Sequence, residues 1–182
     1  MRGVLLDMAV SLDGYISTPE GGDAGLYNWY FSDGPKDKEI VDEIQAITGA
    51  IVLGRNAYAV TDDNTGDVAD EPYQVPHFVI THNPPASPVA DPRMRFVTDP
   101  ATALTSAAAE AGDRYVTVGG GADIVRQMLR ASLIDEVQLH VAPVLLGAGL
   151  SLFDTLDTHV GLTPVRTIAG EGALHVWYRV DK

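Results

Sequence analysis

The chain has 182 residues, no cysteine and a formal net charge of −13. This length predicts a single domain over residues 1–182, which would bury about 70% of the surface that the unfolded chain exposes. The lack of cysteine excludes disulfides, thiolate nucleophiles and cysteine-based zinc sites. The acidic balance argues against nucleic acid and anionic membranes as partners, because both attract basic surfaces.

The N-terminal apolar run is interrupted by Asp7 and is followed by no small-residue cleavage site, so it does not resemble a signal peptide. No apolar segment approaches the length of a membrane span, and we therefore predict a cytoplasmic protein. The five histidines show no His-x-x-x-His spacing. We accordingly predict no metal site.

Hydrophobic periodicity predicts strands that alternate with helices along the chain. The predicted strands are residues 3–10, 50–54, 77–81, 94–98, 114–118, 135–146, 162–168 and 173–180. The predicted helices are 36–47, 100–112 and 122–132, with a helical turn at 55–62, a loop from there to 77 and a glycine turn at 147–153. This order predicts a three-layer α/β fold with a mostly parallel central sheet and an antiparallel C-terminal edge.

Three glycines, Gly119, Gly120 and Gly121, join a β-branched strand to an amphipathic helix. Their backbone N–H groups and the positive end of the helix dipole favour an anion, typically a phosphate. The Rossmann glycine pattern fails because Ile124 stands at its third position, and no Walker lysine follows. The alternative is that the glycines only allow close packing of strand and helix.

A second strand ends at Gly54 and is followed by Arg55, the one basic residue between Lys38 and Arg93. A guanidinium at the carboxyl end of a strand in an α/β sheet is placed to bind a phosphate. The alternative is a salt bridge with one of the neighbouring acids. Two such junctions on one sheet favour a ligand with two separated anionic groups, such as a dinucleotide with a 2′-phosphate.

Five segments of the chain, taken in order, are familiar: MAVSLDGYIS, VLGRNAY, VITH, VTVGGGADIVRQML and IDEVQLHVAPVLLGAGLSLF. Together they resemble the dihydrofolate reductase-like superfamily, and most closely the reductase domain of bacterial riboflavin biosynthesis with its stand-alone relatives. The resemblance covers nearly the whole chain. It implies a mostly parallel sheet of about eight strands, and NADPH as the cofactor.

The resemblance also implies a set of cofactor-binding residues. Ala9 would hold the nicotinamide carboxamide through its backbone, and Ile16 would touch the nicotinamide ring. The positions that would bind the phosphates and the adenosine end are Gly54, Arg55, Asn56, Thr81, His82, Val118, Gly119, Gly120, Gly121, Ala122, Asp123 and Ile124.

Two acids and one aromatic residue are candidates on the substrate side. Asp7 lies inside a predicted strand, where an unpaired ionised carboxylate is costly. It either bonds the substrate or pairs with backbone N–H groups or an arginine. Asp13 begins an Asp-Gly turn, but the resemblance implies that it protonates the substrate. Trp29 either stacks on a planar substrate or anchors its loop on the core.

These residues predict an NADPH-dependent reductase of a small planar heterocycle, similar to 5-amino-6-(5-phosphoribosylamino)uracil reductase. The alternatives are dihydrofolate reductase activity, with Asp42 or Glu43 of the first helix as the pterin acid, and a non-catalytic module that binds NADPH or a flavin. The expected partners are a small-molecule substrate and a second copy of the chain in a homodimer, which the resemblance places at the PVLLGAG region.

Overall fold

The structure is a computed structural model that describes residues 1–57, 72–86, 89 and 91–182. Strands and helices alternate along the chain, as the periodicity predicts. The strands are β1 Val4–Ser11, β2 Tyr15–Ser17, β3 Thr48–Gly54, β4 His77–Ile80, β5 Met94–Val97, β6 Tyr115–Gly120, β7 Glu136–Ala142, β8 Leu150–Ser151, β9 Leu162–Ala169 and β10 Leu174–Val180. The helices are α1 Pro35–Ile47, α2 Pro100–Glu110 and α3 Ala122–Arg130, and a short 3₁₀ helix spans Asn28–Phe31.

In the described part of the chain, eight strands form one sheet in the order β5-β4-β3-β6-β1-β7-β10-β9. In this order, each pair of adjacent strands from β5 across to β7 is parallel. The strand β10 runs antiparallel to both β7 and β9. The predicted fold class, mostly parallel with an antiparallel C-terminal edge, is therefore confirmed.

Alternation along β1 assigns its side chains to two faces of the sheet. Val4, Leu6, Met8 and Val10 pack with residues of α2 and α3 in the main core. Leu5 packs on the opposite face, where Ile47 at the end of α1 reaches it. Helices therefore cover both faces, which makes the three layers. Asp7 lies on the α1 face, where α1 and the 3₁₀ helix form a smaller core of their own.

The elements near β7 differ from prediction in two places. The predicted strand 135–146 ends at Ala142, because Pro143 cannot donate to a ladder and the N–H of Val144 turns back to the carbonyl of Ala142 at 2.8 Å. The predicted glycine turn 147–153 contains β8, which pairs with β2 as a separate two-stranded sheet. These strands are too short to show a period.

Other predictions fall partly outside the described residues. Residues 55–57 are helical, while the rest of the predicted turn at 55–62 and most of the loop before β4 lie outside them. The described part of the proline-rich stretch 83–92 is neither helix nor strand, as predicted. Among the described helices, none has the length and apolar character that crossing a membrane requires.

Candidate active site

The two glycine junctions meet at the carboxyl ends of neighbouring strands, β3 and β6. A Cβ placed on Gly121 would lie 3.2 Å from the Cα of Gly54, and one on Gly54 would lie 3.1 Å from Cγ1 of Ile124. Gly121 has φ +85°, a conformation that favours glycine. Close packing, which we considered as the alternative for these glycines, is therefore present. It also places the two candidate phosphate-binding turns side by side.

Gly121 is the residue that precedes α3, so the first turn of the helix begins at Ala122. The N–H groups of a first turn have no partner within the helix and can donate to an anion. The side chain of Asp123 bonds the amide of Gln127 at 2.7 Å and is exposed. Gly119 is exposed too, and a Cβ there would meet only Cγ2 of Ile51 within 4 Å. A ligand therefore has access to the backbone at this position.

Arg55 links the ends of β3 and β4. Its Nη1 donates to the carbonyl oxygen of Asn83 at 3.2 Å, and the N–H of Asn83 donates to the hydroxyl of Thr81 at 3.1 Å. The neighbouring His82 and Asn56 are exposed. The structure therefore brings together the residues that the sequence predicts for the adenosine end of the cofactor.

Asp13 has the contacts of a turn residue. Its carboxylate accepts from the hydroxyl of Ser11 at 2.5 Å and from the backbone N–H groups of Leu146 and Gly147 at 3.2 and 2.7 Å. The Ser11 bond, followed by the one from Gly147, lowers the pKa of Asp13 below its usual value. A carboxylate held in this way is a poor proton donor at neutral pH, and its predicted catalytic role stays a prediction.

Asp7 begins a chain of hydrogen bonds that crosses three strands and ends on α1. Its Oδ1 lies 2.7 Å from Nε2 of His140, and Nδ1 of His140 lies 2.7 Å from Nδ1 of His175. Nε2 of His175 lies 3.0 Å from Oδ1 of Asp37. The side chain of Asp7 is 14% exposed, whereas those of His140, His175 and Asp37 are 1%, 2% and 0% exposed.

The Asp37 end of this chain is sealed and fully bonded. Oδ2 of Asp37 accepts from the hydroxyl of Ser32 at 2.8 Å and from the N–H of Gly172 at 2.7 Å. Burial opposes ionisation of Asp37, but the bonds from His175, Ser32 and Gly172 together lower its pKa. Burial also lowers the pKa of His175, although Asp37 opposes that shift. Asp37 is therefore ionised and His175 neutral at neutral pH.

Aromatic side chains surround the exposed end of the chain. Burial raises the pKa of Tyr27 to about 12, and it raises the pKa of Tyr73 as well; in both cases the charge of Asp7 adds to the shift. Trp29 is 3% exposed and stacks on His140, with ring centroids 4.0 Å apart. It anchors its segment on the core, and stacking on a substrate would require it to leave these contacts.

The sequence interpretation missed His140, His175, Asp37, Tyr27 and Tyr73. It gave Asp7 a backbone or arginine partner, or the substrate, whereas the structure pairs it with a histidine. One signal was available, since polar residues at alternate positions of predicted strands are costly to bury unless they bond each other. Gln138 and His140 in β7 show this spacing.

Two buried polar atoms near these hydrogen bonds, Nε1 of Trp29 and Oε1 of Gln138, have no hydrogen-bond partner among the described residues. Gln138 is directly opposite Asp7 in the register of β1 and β7. The acids of α1 that we considered for a pterin are engaged elsewhere. Asp42 pairs with Lys38 on the surface, and Glu43 pairs with Arg166.

A profile of the RibD C-terminal domain matches residues 2–174. The chain belongs to this family. A curated relative, the uncharacterized protein YwjB of Bacillus subtilis, is 30% identical over 162 residues, which are 88% of each chain. Riboflavin-type reductase domains are therefore the proteins with which this chain shares its ancestry, and the resemblance that the motifs predict is confirmed.

Solved structures show the same fold at low identity. A putative riboflavin biosynthesis protein from Shewanella sp. PV-4 superposes with a TM-score of 0.79 at 21% identity, over 99% of each chain. The diaminohydroxyphosphoribosylaminopyrimidine deaminase/5-amino-6-(5-phosphoribosylamino)uracil reductase of Thermotoga maritima gives 0.65 at 19% identity, over 99% of this chain and 57% of that one. Dihydrofolate reductase from Enterococcus faecalis, complexed with NADP(H), gives 0.68 at 17% identity, over 100% and 98%.

Proposed function

We propose that this protein is an NADPH-dependent reductase that transfers hydride to a small planar heterocycle, as 5-amino-6-(5-phosphoribosylamino)uracil reductase does. Membership of the RibD C-terminal domain family supports an oxidoreductase. The observation that carries the proposal is the placement of the two candidate phosphate-binding junctions side by side at one end of the sheet, with Asp7 on the neighbouring strand β1.

The residues present fit a phosphorylated dinucleotide. The first-turn N–H groups of α3, which Gly121 cannot cap with a side chain, and the exposed backbone of Gly119 suit a pyrophosphate. Arg55, with Thr81 and His82 beside it, supplies a guanidinium, a hydroxyl and an imidazole, which suit a 2′-phosphate. Ala9 is buried near the end of β1, and Ile16 in β2 is half-buried against the main core. Bound NADPH would supply the hydride.

This chain's own residues orient the reaction. In the proposal, Ala9 and Ile16 hold the nicotinamide, while Tyr27 and Tyr73 flank the acceptor next to Asp7. Tyrosine rings pack well on planar heterocycles and keep a hydroxyl for hydrogen bonding. The predicted stacking of Trp29 on the substrate and the predicted catalytic role of Asp13 stay predictions. In this proposal Trp29 instead orients His140, on which it stacks.

The buried Asp37 disfavours dihydrofolate as the acceptor. A folate-type reductase is expected to present a carboxylate from its first helix to the pterin. Here Asp37 of α1 is 0% exposed and is bonded to His175, Ser32 and Gly172. A pterin could reach this carboxylate only by displacing these partners.

A titration of intrinsic fluorescence with NADPH and NADH tests the cofactor. Arg55→Ala should weaken NADPH binding by about tenfold, the lower end of the range for a hydrogen bond to a charged group, because Arg55 is exposed. Binding of NADH, which lacks the 2′-phosphate, should not change. Arg95→Ala is the matched control, since Arg95 is an exposed arginine of β5 that bonds backbone carbonyls.

Equal affinity of the unmodified protein for NADPH and NADH would contradict the 2′-phosphate role of Arg55. A scan of pyrimidine, pterin and quinone acceptors for NADPH oxidation then identifies the substrate class. If NADPH binds and no acceptor is reduced, the non-catalytic module becomes the better description.

Two further features belong to the proposal. A homodimer would cover the large apolar side chains that are exposed around β9, β10 and the PVLLGAG region, namely Leu145, Leu162, Val165 and Leu174. The protein would act on its substrate in the cytoplasm, as a single domain. Sedimentation of the purified protein tests the dimer, and substitution of Val165 by Asp should shift it to the monomer.

A further inference from the structure

The row of hydrogen bonds from Asp7 to Asp37 needs more protons than two neutral imidazoles and two ionised carboxylates hold. Three hydrogen bonds link the four groups, and each bond requires one proton. Two neutral imidazoles supply one proton each, and ionised carboxylates supply none. The chain therefore needs a third proton, and its net charge is −1 rather than −2.

The contacts at the Asp37 end determine where the other two protons lie. Asp37 accepts from a backbone N–H and a hydroxyl on Oδ2, and together with the bond from His175 these contacts lower its pKa. Asp37 is therefore ionised, and Nε2 of His175 must donate to its Oδ1. A neutral His175 then has a bare Nδ1, which can only accept. His140 must in turn donate through its Nδ1.

With these positions fixed, the third proton lies between Oδ1 of Asp7 and Nε2 of His140, which are 2.7 Å apart. It is held either as a protonated Asp7 beside a neutral His140 or as a carboxylate beside an imidazolium. Both forms make the Asp7–His140 pair electrically neutral. A neutral pair suits the place, because the side chain of His140 is 1% exposed and a net charge there would be costly. The charge of Asp37 is instead stabilised by three donors, from Ser32, Gly172 and His175.

The groups around the pair do not compete for this proton. The charge of Asp7 adds to the raised pKa of Tyr27 and Tyr73, and burial keeps both phenols protonated at neutral pH. Trp29 covers the ring of His140 and has no ionisable group. At the far end, Glu171 bonds the backbone N–H groups of Lys36 and Asp37 rather than the imidazoles.

We propose that the Asp7–His140 hydrogen bond stores this third proton, and that Asp7 passes it to the acceptor when hydride arrives from NADPH. The inference rests on the proposed reductase function. Hydride adds to a carbon of the acceptor's C=N or C=O group, and the electron pair of that double bond moves to the heteroatom. The Oδ–H bond of Asp7 breaks, an N–H or O–H bond forms, and NADP⁺ and ionised Asp7 remain.

The exposure of the four side chains gives the relay a direction. The side chain of Asp7 is 14% exposed to solvent, whereas that of Asp37 is 0% exposed. Substrate and solvent therefore reach the chain at Asp7, which both gives up the proton and regains it. His140, His175 and Asp37 are positioning residues that fix which nitrogen of each imidazole carries hydrogen.

The test is ¹⁵N NMR of the histidine side chains in the full-length protein without cofactor, near pH 7.5. Single His→Gln variants of His77, His82 and His159 assign the other signals, leaving His140 and His175. We expect His140 to carry a proton on Nδ1 and His175 to carry one only on Nε2. A bare Nδ1 on His140, or an imidazolium at His175, would overturn the proposal, because the third proton would then lie at the other end.

Asp7→Asn is the matched variant, since its amide donates to Nε2 of His140 without an extra proton. The unmodified protein should therefore bind one proton more in its folded state than the variant does. A proton held only in the folded state stabilises at low pH and is lost as pH rises. The ratio of the two folding constants, measured in urea, should fall tenfold per pH unit between pH 5 and 7. A ratio that does not change with pH would refute the stored proton.

Turnover separates this proposal from the one on which it rests. With the acceptor found in the scan, Asp7→Asn should reduce turnover by about 10²- to 10⁴-fold, the contribution of a positioned proton donor, at unchanged NADPH affinity. If the protein binds no NADPH, the reductase function fails while the NMR result stands. If NADPH is oxidised and Asp7→Asn retains turnover, the proton transfer alone fails.

Discussion

Replacing Asp37 should be among the most destabilising single changes on α1. Asp37→Ala leaves three donors without their acceptor: Nε2 of His175, the hydroxyl of Ser32 and the N–H of Gly172. Each buried donor left unbonded costs about 1–3 kcal/mol, and removal of the desolvated carboxylate offsets part of the sum. We expect a loss of about 3–5 kcal/mol in the free energy of unfolding, the range for breaking a buried pair from one side.

Urea denaturation at pH 7 measures this loss, and thermal unfolding should show a decrease of roughly 6–20 °C at about 2–4 °C per kcal/mol for this chain length. Asp42→Ala is the control on the same helix, because its i,i+4 pair with Lys38 is exposed and contributes about 0.3–0.5 kcal/mol. A loss below about 1 kcal/mol for Asp37→Ala is within the range of a surface pair. Such a result would refute the reasoning that Asp37 is buried and bonded to all three donors.

The same residues predict how stability depends on pH, and two other substitutions separate structural from chemical roles. Because the pKa of His175 is lowered, stability should fall in urea denaturation as pH decreases below about 6.5, where this imidazole binds a proton in the unfolded chain but not in the fold. The lowered pKa of Asp37 adds a second decrease below about 3.9. Asp37→Ala should remove the second decrease and keep the first, since Asp37 itself raises the pKa of His175. Gly121→Ala should cost more than Gly112→Ala in urea, because both have positive φ but only Gly121 lacks space for a Cβ; equal costs would contradict the close packing. Asp13→Asn should reduce turnover by much less than the roughly 10²-fold expected when a proton donor is lost. If the variant folds but is inactive, Asp13 has the catalytic role that the sequence predicts.

Most of the architecture could be predicted from local patterns, since strands and helices of ordinary length show their period in the sequence. The alternation in β1 and the capped N-terminus of α2 are examples, with Asp99 accepting from the N–H of Thr102 at 2.9 Å. The pairing of β2 with β8 could not be predicted, because strands of three and two residues carry no period.

The sequence predicted the glycine junctions and Arg55 of the candidate site but not the bonded histidines, and the difference has a physical reason. The glycine junctions and Arg55 follow strands directly, so their chemistry and their place in the sheet are both local to the sequence. His140 and His175 are 35 residues apart and become neighbours only through the antiparallel register of β7 and β10. Asp37 joins them from a helix on the face of the sheet. A proton count that involves four elements, including β1 with Asp7, requires their arrangement in space.

The contact between Gly54 and Gly121 has a consequence for ligand selection. These glycines belong to the two junctions that would bind the pyrophosphate and the 2′-phosphate of the cofactor, and their backbones lie too close for a Cβ to fit between them without displacement. The separation of the binding points is therefore fixed by atomic radii, and neither junction can shift without moving the other. Such a pair selects for the distance between the two phosphate groups of its ligand, and a nucleotide that lacks either group would satisfy only one junction.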